Sequence, residues 1–207
     1  MQEKAVKPAE FERVIVDTTV QEKAIAHPVD SRLLEIARSK IVQAAKRSGI
    51  TLKQSYAKEG KELRRKAGGY AHAKQFRRMR KTVKRQRTIF GIVLREIKRK
   101  LATAELECSV SLQHLNTLLE RAQRIHKQQP KDKNKLYALH APEVECIGKG
   151  KARKPYEFGV KASIAITHKN GLMIGAKTFP GNPYDGHILH KQLTQTQILL
   201  ENAGSTP

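Results

Sequence analysis

Asp17 is the first residue of this chain whose type and setting could do chemistry. It follows an apolar, β-branched run and is itself followed by Thr18 and Thr19. A carboxylate on so apolar a strand is costly unless it is paired, protonated or bound to a cation. Two interpretations stay open from this stretch alone: a functional carboxylate, or a strand-end residue that turns to solvent or caps Thr19.

Two other groups could bind metal or phosphate, and both match the required patterns only in part. Asp185, His187 and His190 lie close together, but one helical turn supplies only part of a metal shell, which favours a helix cap with two surface histidines. The run Gly148-Lys149-Gly150-Lys151 lacks the spacing of a phosphate-binding loop and no helix follows it. A flexible basic loop that could touch phosphate is the simpler interpretation.

Charge gives the strongest functional indication. The net charge is +22, and residues 40–100 hold 21 Lys and Arg against three acids. Such a block repels itself and indicates a polyanionic partner. No apolar run has the length of a membrane span, and the first residues lack the apolar stretch of a signal peptide. Cys108 and Cys146 are far apart without CxxC spacing, which indicates reduced cysteines in a cytosolic protein.

The basic block predicts contact with the phosphates of duplex DNA. Solvated helix faces usually mix both signs of charge, and a basic coiled-coil face is the alternative. The cations are not interleaved with aromatic residues, which disfavours stacking on single strands as the main mode and favours backbone contact. The predicted contact residues are all basic: Lys74, Arg77, Arg78, Arg80, Lys81, Lys84, Arg85, Arg87, Lys149, Lys151, Arg153 and Lys154.

Helical periodicity predicts the elements that carry this block. A first helix begins at Asp30 or Ser31 and ends at Gly49, and Gly68-Gly69 indicates a break. A heptad stripe follows at Phe76, Val83, Phe90 and Ile97, and a second stripe runs through Cys108, Leu112, Leu115, Leu119 and Ala122. These stripes predict a helical hairpin of about 73–101 and 105–128, although one long bent helix stays open.

The remaining segments predict strands and a closing helix. Residues 14–19 form one strand, and 136–140 and 144–147 are candidate short strands after a linker at 128–135. Residues 156–167 and 172–179 are joined by Asn170-Gly171, a strong hairpin signal. An amphipathic helix then begins near Asp185, with an apolar pattern at Ile188, Leu189, Leu193, Ile198, Leu199 and Leu200.

Four segments carry a resemblance to a known family. They read VIVDTTV at 14–20, KLYALHAPEVECIGKGK at 135–151, EFGVK at 157–161 and FPGNPYDGH at 179–187. Together they resemble DDE transposases of bacterial insertion sequences, over nearly the whole chain and most specifically in its second half. The family would place a bacterial protein of this kind in the cytoplasm.

The resemblance implies an α+β fold with a partial ribonuclease H-like mixed sheet. Residues 1–29 would hold the first strand of the catalytic core, ending at Asp17. Residues 30–150 would be a basic helical insertion, and residues 151–207 a β-hairpin and closing helix of the same core.

The resemblance also implies metal-dependent phosphodiester cleavage and strand transfer in DNA transposition. Three carboxylates of the family hold two Mg²⁺ or Mn²⁺ ions, and Asp17 matches the first as catalytic residue and metal ligand. The second and third would follow Pro207, so the sequence is expected to be a fragment that is inactive alone. The expected partner is double-stranded DNA, at transposon ends and at target sites, and no membrane is expected. Whether the intact enzyme is a homodimer stays open. The alternative function is a catalytically dead, basic, non-specific DNA-binding remnant.

Overall fold

A computed structural model of the protein describes residues 10–103, 110–150 and 152–202. Their contacts divide into a sheet unit, from Met1–Ala24 and Glu143–Pro207, and a helical unit, from Ile25–Pro142. The three-segment domain assignment, with its limits at 29/30 and 150/151, stays a prediction. In the described ranges there is no helix both long enough and apolar enough to cross a membrane. The overall class is α+β: the described residues form five helices and one four-stranded sheet.

The sheet unit is built around its longest strand, β3. Strand β1 (Val14–Glu22) pairs antiparallel with β3 (Tyr156–Thr167) along nine residue pairs. Strand β2 (Glu145–Gly148) pairs with the first residues of β3, and β4 (Met173–Phe179) pairs with its second half. The hairpin between β3 and β4 therefore forms as the Asn170-Gly171 signal predicted, and β1 pairs with a strand that lies far along the chain.

The position of Asp17 in its strand differs from the prediction. Asp17 was expected to end the first strand, but β1 continues to Glu22 and places Asp17 in its interior, opposite Ile164 of β3. The strand continues because backbone pairing with β3 extends through Gln21 and Glu22, polar residues that the apolar run did not include. Asp17 is exposed, as expected for an unpaired carboxylate within a strand.

Helix α5 (Asp185–Asn202) covers one face of the sheet through an unusually polar contact. Its buried residues are Ile188, Gln192 and Thr196, and a Cβ on Gly175 of β4 would lie 2.3 Å from the Thr196 hydroxyl. The helix therefore needs glycine at this point of the sheet. Most of the predicted apolar positions of α5 are instead substantially exposed: Leu189, Leu193, Ile198 and Leu199.

The helical unit contains α1 (Asp30–Arg47), α2 (Ala57–His72), α3 (Phe76–Thr103) and α4 (Val110–Lys127). Gly49 ends α1 with φ +76°, the conformation that glycine tolerates best. Apolar residues from α1, α3 and α4 form the core: Leu34, Ile41, Phe90, Val93, Ile97, Leu115, Leu119 and Ile125. The predicted second stripe is therefore buried at Leu115, Leu119 and Ala122, whereas Cys108 lies outside the described residues.

A buried ion pair fixes α2 against α1. Arg38 donates to both carboxylate oxygens of Glu35, at 2.9 and 2.7 Å, and also to the carbonyl oxygen of Ser55. Gly60 of α2 lies against this pair, because a Cβ there would meet a Glu35 oxygen at 2.2 Å. The contact holds α2 in place beside α3, which carries the basic block.

Two local predictions are wrong. Gly68-Gly69 does not break the chain, since α2 continues to His72 and the turn lies at residues 73–75, where Lys74 has φ +55°. Residues 136–140 form no strand. Leu136 and Leu139 are instead buried in the helical core, and the side-chain amide of Gln128 satisfies both the N–H and the carbonyl of Leu136.

Candidate nucleic-acid interface and the Asp17 strand

The first half of α3 presents an exposed cationic surface. Six predicted contact residues are exposed on it and on the turn before it, and we call them the basic face: Lys74, Arg77, Arg78, Arg80, Lys81 and Lys84. The sequence contains no Asp or Glu between Glu62 and Glu96. The basic face is therefore not neutralised by acids of its own segment, and it can be neutralised by a polyanion.

Part of the basic face lies at the end of α3 where the helix dipole disfavours cations. The N-terminal end of a helix carries a partial positive charge, which favours acids there and disfavours cations. Arg77 and Arg78 lie in the first turn of α3, and this turn holds no acid. Residues that break a local rule of stability often serve a function, and an anion bound at this turn would remove the conflict.

Two of the predicted contact residues on α3 already have partners inside the helical unit. Arg85 donates to both carboxylate oxygens of Glu59 on α2, at 2.7 and 3.3 Å. Arg87 is half-buried and donates to the carbonyl oxygens of His126 and Gln128, at 2.6 and 2.9 Å. Both residues tie α3 to neighbouring segments, so they have less freedom to contact DNA than the basic face has.

His126 closes the contact around Arg87. Its Nε2 lies 3.1 Å from the Arg87 carbonyl oxygen, and its ring packs edge-on against Phe90 with ring centroids 5.7 Å apart. Burial lowers the pKa of His126 below its usual value, although the hydrogen bond to Arg87 opposes this effect. His126 thus links α4 to α3 at the point where α3 passes from its exposed half to its buried half.

A groove of about 990 Å³ lies beside the basic face, between the start of α1 and helices α2 and α3. Small and apolar residues line it, among them Ala67, Gly68, Met79 and Val83, with Arg64, Arg65, Arg80 and Lys84 among its charged residues. The two glycines that were expected to break α2 thus lie where the helix borders this groove. The groove extends the cationic surface from α3 onto α2.

The predicted contacts of the sheet unit are less uniform. Arg153 is exposed and Lys149 is half-buried. Lys154 forms an ion pair with Glu22 of β1, which raises the pKa of Lys154. Lys151 lies outside the described residues. The sheet unit therefore offers fewer free cations from this set than the basic face.

Asp17 lies on the face of β1 opposite to α5. Side chains alternate along a strand, and Thr18, which follows Asp17, lies close enough to Asp185 at the start of α5 to contribute to the lowered pKa of that carboxyl. Asp17 therefore points to the other face, with exposed Ile15 and Thr19 on either side. One of its carboxylate oxygens accepts the backbone N–H of Thr18 at 2.8 Å. The carboxylate is accessible to a ligand from solvent.

An ion pair between β3 and α5 was not anticipated from the sequence. Lys161 pairs with the carboxylate of Asp185 and donates to the carbonyl oxygen of Pro183 at 2.6 Å. The hydrogen bond from Lys161 is the main reason that the pKa of Asp185 lies below its usual value, with a further contribution from Thr18. Asp185 thus fixes the start of α5 on the sheet. The sequence does contain one indication of this ion pair: Lys161 is a charged residue within an otherwise mostly apolar strand, where it needs a partner.

The described residues do not complete a metal site. Among them no group of three or more His, Cys, Asp or Glu side chains is placed to hold a metal ion. Two Mg²⁺ ions about 4 Å apart require oxygens from several carboxylates. Asp17 alone does not fit such a pair of ions, and neither Asp185 nor its neighbouring histidines supply the missing ligands.

Fold and charge together define an α+β protein with a strongly basic helical unit. Comparison adds one relative: over 76 residues the chain is 51% identical to the "Uncharacterized protein ORF8 in nfe locus" of Rhizobium meliloti. The match covers 37% of this chain, and the chain spans only 37% of that protein. No protein-family model matches the chain, and no solved structure matches it.

Proposed function

We propose that this protein binds duplex DNA through the basic face of α3. One observation carries the proposal: six exposed cations cluster on and just before the first half of a helix, within a segment that contains no acid from residue 63 to residue 95. Cations that neutralise DNA phosphates release condensed counterions, which drives binding with little dependence on sequence. Phosphate contacts of this kind position a protein on DNA without reading its bases.

The test is the salt dependence of binding to a duplex of about 30 base pairs, measured by fluorescence anisotropy. The variant replaces Arg77, Arg78, Arg80 and Lys81 by Ala. Each lost phosphate contact reduces the slope of log K against log salt by about 0.9. We therefore expect a slope shallower by about 3 to 4, and an affinity that is roughly a thousandfold lower near 0.1 M salt.

A matched control separates this surface from the general charge of the protein. Replacing the exposed residues Lys131, Lys133, Lys169 and Lys191 by Ala removes the same four charges elsewhere. The control should change the slope by much less than the α3 variant. Equal slopes in the two variants would show that net charge, and not the basic face, binds DNA.

The finer proposal is that this DNA-binding protein is part of a DDE transposase of an insertion sequence. The supporting features are the motif resemblance and the order in which strands 14–22, 156–167 and 173–179 pair antiparallel. This order agrees with the first three strands of a ribonuclease H-like core, between which the helical unit is an insertion. Strand β1 pairs with β3 alone among the described strands, which leaves room for a further strand beside it.

In this proposal Asp17 supplies one of the carboxylates that bind Mg²⁺ or Mn²⁺ in the complete enzyme. Its exposed position in the interior of β1 supports that role. Asp17→Asn keeps the shape of the side chain and removes its charge. In a full-length transposase that contains this segment, the variant should abolish cleavage of transposon-end DNA and leave DNA binding nearly unchanged.

The alternative is a non-catalytic DNA-binding remnant, and cleavage by the full-length protein discriminates between the two, because only a transposase has a cleavage activity that Asp17→Asn can abolish. The 207-residue chain should bind transposon-end DNA but not cleave it with either metal, because one carboxylate cannot hold two ions. Cleavage by this chain would refute the expectation that it contains only one of the three catalytic carboxylates. Loss of DNA binding in Asp17→Asn would indicate that Asp17 has a structural role.

A further inference from the structure

An exposed aromatic residue follows the turn between α2 and α3. Phe76 opens the heptad stripe of α3, yet 54% of its surface is exposed, and every residue from 71 to 78 is exposed with it. The buried residues of α3 begin only at Gln86. Phe76 lies before the part of the helix that packs in the core, and α2 ends beside it at His72.

Hydrogen bonds hold this turn in one conformation. The N–H of Gln75 donates to the carbonyl of Tyr70 at 2.8 Å, and the N–H of Lys74 donates to that of Ala71 at 3.1 Å. These two bonds form the Schellman end of α2. The carbonyl of Gln75 then accepts the N–H of Met79 at 3.1 Å, and its side chain accepts from Arg78 at 3.0 Å. Phe76 is therefore presented on an ordered backbone, which reduces the entropy lost on binding.

The near neighbours of Phe76 in the chain are mostly cationic, and the sequence has no Asp or Glu from residue 63 to residue 95. Lys74, Arg77 and Arg78 flank it and belong to the basic face. Single exposed apolar side chains are common on protein surfaces. An aromatic between cations that would lie on phosphates is more specific, because proteins that bend DNA insert apolar side chains between base pairs while nearby cations contact the backbone.

We propose that Phe76 inserts between two adjacent base pairs of the bound duplex, partly unstacks them and bends the DNA. This inference rests on the proposed binding of DNA by the basic face. Pyrimidine–purine steps such as TA and CA unstack most easily, so they are the expected points of insertion. The basic face would supply affinity without reading bases, and Phe76 would add a preference for deformable steps.

The first test measures bending by fluorescence resonance energy transfer between dyes at the two ends of a duplex with a central TA step. Wild type should bring the ends closer, and Phe76→Ala should abolish that change. Because the stacking of the ring on a base is lost, the affinity of Phe76→Ala should fall at least about tenfold. The salt slope should stay unchanged because no charge is removed. Phe76→Leu should keep most of the bend, since Leu is also used as a wedge.

Val110 provides a matched control for this test. It begins α4 and is 84% exposed, so Val110→Ala also truncates an exposed apolar residue of the helical unit at a helix start. The control variant should bend DNA as wild type does. A bend that survives in Phe76→Ala, or that is lost equally in Val110→Ala, would overturn the proposal.

The chain contains no tryptophan, which allows a direct second measurement. In Phe76→Trp the single indole should be quenched on DNA binding and shielded from acrylamide, as expected for a stacked ring. In Val110→Trp it should remain accessible to acrylamide. An accessible indole at position 76 in the DNA complex would contradict insertion.

The two proposals fail in distinguishable ways. Wild type that binds DNA with a steep salt slope but leaves it straight would reject the wedge and leave the proposed DNA binding intact. Wild type that does not bind duplex DNA at all would reject both. Binding and bending that depend on Phe76 only at duplex ends, and not at a central TA step, would show end stacking and reject insertion.

Discussion

Helix α3 carries apolar residues seven apart along its whole length, but its two halves have opposite surroundings. In the first half Phe76 is exposed and Val83 is half-buried, and seven of the twelve residues from 76 to 87 are Lys or Arg. In the second half Phe90 and Ile97 are fully buried against α1 and α4. A heptad pattern thus identifies the apolar side of a helix, but it does not establish that another element covers that side.

Charge distinguishes the two halves better than the apolar pattern does. The first half has no acid, whereas Glu96 in the second half accepts the N–H of Lys53 at 2.8 Å and pairs with Lys100 at 3.0 Å. The hydrogen bond from Lys53 is the main cause that lowers the pKa of Glu96. The acid of the buried half is therefore paired within the helical unit, whereas the six cations of the basic face have no acid in their own segment and are available to a partner.

The largest expected effect comes from the same substitution made at two positions of this stripe. Phe90→Ala should lower the free energy of unfolding by about 3–5 kcal/mol, because it opens a cavity in the core. Phe76→Ala should change it by no more than about 0.5 kcal/mol, since the side chain is exposed. Urea unfolding followed by circular dichroism measures both. Similar losses at the two positions would mean that Phe76 is buried in solution.

An intermediate effect is expected at the junction between the halves. Arg87→Ala removes the hydrogen bonds to the carbonyls of His126 and Gln128, and should lower the free energy of unfolding by about 1.5–3 kcal/mol. Arg80→Ala, seven residues earlier and exposed, is the control and should have little effect on stability. If Arg87→Ala instead weakened DNA binding with stability unchanged, Arg87 would belong to the basic face.

Local signals predicted the sheet, and tertiary contacts decided what the sequence could not show. The hairpin at Asn170-Gly171 follows from two residues that tolerate positive φ. Gly68-Gly69 was misjudged as a break because each glycine costs a helix only about 1 kcal/mol. That cost is small enough for packing to outweigh, and Gly60 of the same helix lies against the Glu35–Arg38 ion pair.

Tertiary contacts also limited what the sequence could predict about the candidate site. Composition alone located the basic segment, because charge density needs no knowledge of neighbours. The partners of Arg85 and Arg87 lie 26 and 39 residues away in the chain, so no local pattern could separate these two arginines from the basic face. The resemblance likewise selected Asp17, but the extent of β1 beyond it depends on pairing with β3.

The smallest effect should have opposite signs on stability and on binding. Arg78 lies in the first turn of α3, where the helix dipole disfavours a cation. Arg78→Glu should therefore raise the free energy of unfolding by about 0.3–1 kcal/mol at low salt. The same variant should weaken DNA binding, because it replaces a phosphate contact by a like charge.

Arg99→Glu, near the other end of α3, is the control: an anion there faces the negative end of the dipole and should lower stability slightly. Both shifts should fade as salt rises, since exposed charges are screened. If Arg78→Glu instead lowered stability, the cations of the first half would stabilise the fold, and the conflict that supports their role in binding DNA would not exist.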